Sequence, residues 1–85
     1  MSSFRAKIMG RQESEPAMFQ TTTSVNIRSG PGTEFPTIPG SPLPEGTTVV
    51  RLEASGLWVK VDVQATVNGV NDAVGWVHLR FLSLT

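Results

Sequence analysis

The chain has 85 residues, no cysteine, and seven basic against seven acidic side chains, so its formal net charge is zero. That length suits one small domain and leaves no room for an active site between two. Without thiolates and with a single histidine, neither disulfides nor a closed metal site are expected, and charge neutrality argues against a dedicated binder of nucleic acid or of an anionic membrane.

Residues 1–20 carry scattered apolar side chains between Arg5, Lys7, Arg11, Glu13 and Glu15 and are expected to form a flexible N-terminal tail. Phe4 to Met9 hold a weak helical spacing and nothing stronger. This stretch lacks the apolar core of a signal peptide, and no run in the chain approaches the ~20 apolar residues of a membrane-spanning helix. The expected location is therefore cytoplasmic or particle-associated, unless the protein is exported by other means.

From Thr21 to the C-terminus the pattern is β. Residues 21–27 are β-prone and alternate, with Val25 and Ile27 on one face. The cluster Arg28-Ser29-Gly30-Pro31-Gly32-Thr33 ends that strand. Glycines flanking Pro31 suit a sharp exit, since neither presents a β-carbon. Four of the six prolines fall between Glu34 and Gly46, too many for a central strand because each removes a ladder donor. A long, stiffened loop is expected there, anchored by Phe35, Ile38 and Leu43, and loops of that length are usually functional.

A second strand is expected over Thr47 to Ala54, with Val50, Leu52 and Ala54 on one face and Val49, Arg51 and Glu53 on the other. The third has the clearest pattern in the chain. Leu57, Val59, Val61, Val63, Ala65 and Val67 alternate with Trp58, Lys60, Asp62, Gln64 and Thr66, so the aliphatic row is expected to face the core. Asn68-Gly69 signals a type I′ turn, which needs positive φ at both central residues. A return strand from Val74 to His78, a short 3₁₀ turn at Leu79-Arg80-Phe81 and a final strand from Leu82 to Leu84 complete an all-β pattern.

Three of these segments resemble bacterial SH3 (SH3b) domains. Val25-Asn26-Ile27-Arg28-Ser29-Gly30-Pro31-Gly32-Thr33 is similar to their opening motif, Gly46-Thr47-Thr48-Val49-Val50 to the entry of their second strand, and Gly75-Trp76-Val77-His78-Leu79-Arg80-Phe81-Leu82 to their closing motif. The resemblance covers about residues 22–84. It implies a small five-stranded SH3-like barrel over residues 21–85, with a 3₁₀ turn before the last strand. It also implies a recognition role, often toward cell-wall peptidoglycan or peptides. The proline-rich loop and the hairpin around Gly69 are longer than that pattern.

Parity puts Trp58 opposite the aliphatic row, where an indole needs a cover: the proline-rich loop, the tail or a ligand. The resemblance places Trp58 in a recognition groove, with His78 and Phe81 beside it. Phe35 is a candidate for the opposite wall, and Glu34 and Glu45 are candidates to receive an amine of the ligand. An aromatic floor with a few polar groups suits an extended peptide or a sugar-linked peptide. Competing readings make His78 a hydrogen-bonded surface residue, Phe81 plain core, and Trp76 a packing residue against the loop. Asn26 is suited to bonding loop backbone. Arg28 has two candidate partners, a carboxylate such as Glu34 or Glu45, or a carboxylate on a ligand.

No catalytic constellation assembles. There is no cysteine nucleophile, no Gly-rich phosphate loop ahead of a helix, and no room for a pair of carboxylates across a pocket. The expected protein is a non-catalytic recognition module that uses no metal or cofactor. It would bind peptidoglycan or a peptide through Trp58, Phe35, His78, Phe81, Glu34 and Glu45, as a monomer or weak homo-oligomer. A structural or assembly subunit, as in a phage or secretion particle, is the alternative; there the exposed aromatics or a sheet edge would make protein–protein contacts.

Overall fold

The alternation that marks the third strand does build the centre of the structure. A computed structural model describes residues 17–85, and in it Val59, Val61 and Val63 are buried while Trp58, Lys60 and Asp62 between them are half-exposed. The strands are β1 (Met18–Thr21), β2 (Thr48–Ser55), β3 (Trp58–Val63), β4 (Val74–His78) and β5 (Leu82–Leu84), with a 3₁₀ turn over Leu79–Phe81. They form one antiparallel sheet in the order β4-β3-β2-β1-β5, open in its ladder, with β4 and β5 as its edges.

Three boundaries differ from the sequence expectation, each for a physical reason. The first strand is Met18–Thr21, not residues 21–27. Phe19 pairs with Val49 on β2 and with Leu84 on β5, so three residues assigned to the tail lie inside the sheet. Residues 1–16, including the helical spacing at Phe4 to Met9, lie outside the described residues. The third strand ends at Val63: Leu57 belongs to the Ser55–Trp58 turn and is 62% exposed, and Gln64 to Thr66 bend away with Ala65 exposed. In β2 the register slips between Arg51 and Glu53. This bulge breaks the strict alternation and leaves Leu52 half-exposed, with Val49 as the strand's buried residue.

Residues 22–47 make a long excursion that folds back over the sheet. Val25 and Leu43 exchange backbone hydrogen bonds at 2.9 and 2.7 Å, and Ile38 N–H donates to the Ile27 carbonyl at 3.0 Å. The excursion thus satisfies its own backbone as an irregular antiparallel pair, as buried backbone must, and it delivers Val25, Ile27 and Leu43 to the core. Of the three expected anchors, Leu43 is fully buried, Ile38 packs against the core, and Phe35 lies outside it.

Asn68 and Gly69 take φ of 51° and 82°, as a type I′ turn requires. Val67 and Val70 exchange both hydrogen bonds around them. The turn sits within the β3–β4 connection instead of extending either strand.

Candidate functional site

Trp58 opens β3 and His78 closes β4, and the two are direct cross-strand partners. Such pairs place their side chains on the same face of the sheet, here the face away from the valine row. Their rings meet edge to face with centroids 5.3 Å apart, and Phe81, carried one turn further on by the 3₁₀ segment, packs edgewise on His78 at 6.1 Å. All three side chains are half-buried. The indole is therefore neither sealed in the core nor free in solvent.

These rings form one wall of an open cleft of about 330 Å³. The other wall comes from the long excursion, through Ser24, Val25, Asn26, Arg28 and Thr33, and Arg80 completes the rim. Arg28 and Asn26 in this wall, and His78 opposite, are held by neighbours. Arg28 donates through Nη1 to the carbonyls of Phe35 (2.9 Å) and Thr33 (3.3 Å), which pins its guanidinium by one end. Asn26 Oδ1 accepts from Ser41 Oγ at 3.4 Å, and Ser41 Oγ itself accepts from Ile27 N–H. Arg80 N–H donates to His78 Nδ1 at 3.1 Å, an N-cap of the 3₁₀ turn; in the neutral ring this leaves Nε2 as a donor. The Arg80 guanidinium carbon lies 5.3 Å from the centre of the Phe81 ring, within cation–π range.

Of the six expected binding residues, Trp58, His78 and Phe81 come together in this cleft; Phe35, Glu34 and Glu45 do not line it. Phe35 lies against Gly30 instead, so closely that a β-carbon there would sit 2.5–2.7 Å from its ring. The Glu34 side chain covers Gly32 in the same way. Neither glycine has positive φ; the Phe35 ring takes the space of a β-carbon at Gly30, whereas at Gly32 that space is taken by the movable end of the Glu34 side chain. Arg28 pairs with neither glutamate: its side chain bonds to carbonyls, and among the described residues the ion pair formed is Lys60–Glu53, at 4.0 Å. Trp76 stands outside the cleft, and its backbone joins Arg28.

Of the excursion wall only Arg28 was offered by the sequence as reaching a ligand; the other wall residues and Arg80 were missed. Arg28 carried a signal in its place within the opening motif. Ser24, Asn26 and Thr33 carried none, because only the fold-back of the excursion brings them opposite β3 and β4.

Among the described residues no three His, Cys, Asp or Glu side chains gather as metal ligands, and no helix is long and apolar enough to cross a membrane. No family model, no curated protein and no solved structure matches this chain.

Proposed function

We propose that the protein is a non-catalytic recognition module that binds a short peptide, of the kind carried on cell-wall peptidoglycan, in the cleft between β3, β4 and the long excursion. One observation carries the reading: three aromatic rings stacked edge to face are left half-exposed along a cleft whose other wall is polar. Burying exposed aromatic surface is the main source of affinity in such sites, and a few placed polar groups fix orientation. The similarity of residues 25–33, 46–50 and 75–82 to SH3b motifs points the same way. So does the fold, which we read as an SH3-like barrel: five antiparallel strands, a 3₁₀ turn before the last, and an excursion that bridges the outer edge of β4 at Arg28.

Sedimentation with purified cell-wall sacculi tests this. The wild-type protein is expected to pellet with sacculi and Trp58→Ala to stay in the supernatant while keeping its thermal melt. Equal pelleting of the two proteins removes the cleft from the binding surface.

A second reading, an assembly subunit, draws on different residues. Leu52, Leu57, Leu79 and Leu84 are each more than 40% exposed, and among the described residues β5 is an edge of the sheet, a surface able to add another strand. Light scattering distinguishes it, since a stable oligomer at micromolar concentration would move the contact to that edge.

A further inference from the structure

Acidic and basic residues balance over the whole chain, yet among the described residues the cleft is lined by Arg28, Arg80 and His78 and by no carboxylate. The side-chain nitrogens left over there are donors, and the hydroxyls of Ser24 and Thr33 donate or accept. Arg28 spends Nη1 on two carbonyls, keeping Nε and Nη2; Asn26 uses Oδ1, keeping its Nδ2 amide; His78 uses Nδ1, keeping Nε2. Arg80 is exposed, lies near the Phe81 ring, and forms no ion pair with a described residue. A concave site lined by charge of one sign concentrates the opposite charge. A guanidinium already fixed at one end or stacked on a ring loses less freedom on forming a paired bond to a carboxylate. The volume stands at the small end of the ~300–1,000 Å³ of ligand pockets, room for the end of a chain and not for a long run of it.

We infer that the cleft takes the C-terminal end of a peptide, its terminal carboxylate bound by Arg80 and Arg28 and its last side chain laid against Trp58 and Phe81. This rests on the recognition reading and reverses the ligand charge expected from Glu34 and Glu45, which lie elsewhere. It assigns Arg80 a role in ligand binding beyond its part in the 3₁₀ turn.

The test uses the full 85-residue chain and three acetylated peptides: alanyl-alanyl-alanine with a free C-terminus, the same peptide as its C-terminal amide, and alanyl-glutamyl-alanine amide. Binding is read from the NMR shift of the Trp58 indole N–H. The free acid is expected to bind at least tenfold tighter than the first amide. Arg80→Gln is expected to narrow that ratio to threefold or less without changing the melting temperature. If acid and amide shift the Trp58 signal with equal affinity, the carboxylate assignment falls and the aromatic cleft stands. If the internal glutamate peptide binds as tightly as the free acid, the terminal placement is wrong. If none of the three moves the Trp58 signal at millimolar concentration, this inference and the peptide reading of the cleft fall together.

Discussion

Arg28 and Trp76 exchange both of their backbone hydrogen bonds, at 2.9 and 2.8 Å, so the long excursion is tied to the outer edge of β4. The same arginine lines the ligand cleft with its side chain. One residue therefore closes a sheet edge with its main chain and shapes the candidate site with its guanidinium.

That tie depends on Gly75. A β-carbon there would lie 2.7 Å from the Arg28 carbonyl oxygen and 2.8 Å from Ile27 Cγ1, and a backbone oxygen beside a fully buried side chain leaves little to yield. Gly75→Ala is expected to cost about 1–3 kcal/mol, as overpacking does, read as a lower urea midpoint. An unchanged midpoint would mean that the excursion is only loosely seated on β4.

The two faces of β3 predict opposite tolerance. Val61 is fully buried, and Val61→Asp would leave a charge without a partner at a cost on the order of 4 kcal/mol, enough to unfold a domain of this size. Lys60→Asp removes one surface ion pair with Glu53, worth at most about 1 kcal/mol, and should leave the protein folded. Circular dichroism melts of both variants check the parity.

Thr21, at the end of β1, is buried, and its hydroxyl donates to the Pro44 carbonyl at 2.7 Å and accepts from Thr47 N–H at 3.0 Å. It joins the first strand to the end of the excursion. Thr21→Val keeps the shape and deprives Thr47 N–H of its better acceptor, so a loss of about 1–3 kcal/mol is expected in chemical denaturation.

Asn68 fastens the 67–70 turn to the proline-rich loop, donating through Nδ2 to Gly40 O (2.9 Å) and Pro42 O (3.1 Å). It also holds φ of 51°, which other side chains resist by about 1–2 kcal/mol. Asn68→Ala loses on both counts and should destabilise more than Asn68→Gly, which loses only the bonds. Equal midpoints for the two variants would show that the backbone there relaxes.

Glu34 and Glu45 lie outside the cleft. Glu34→Gln and Glu45→Gln are therefore expected to leave pelleting with sacculi unchanged. A loss with either would place the ligand over the excursion instead.

Much of this was legible in the residues. The buried faces of Val59, Val61 and Val63, the outward Trp58, the turn at Asn68-Gly69, and the 3₁₀ turn before a last strand each follow from a local rule about side-chain period or backbone angle. Those rules act over a few residues, and so they describe segments well and edges poorly. They ran Leu57 and Ala65 into β3 because alternation continues in the text of the chain after the backbone has turned. They stopped short of Met18 and Phe19, whose place in β1 comes from partners some thirty residues away in β2 and, for Phe19, sixty-five away in β5.

What the sequence by itself determined is which face of each strand is apolar and where the chain must turn, because those depend on neighbours along the chain. Only the tertiary structure decided what stands opposite Trp58. The excursion folds back over β4 through Gly75, sets Arg28 and Asn26 across from the aromatic wall, and leaves Glu34 and Glu45 behind. Contacts between residues fifty positions apart are set by how the pieces pack, and packing is a property of the whole core.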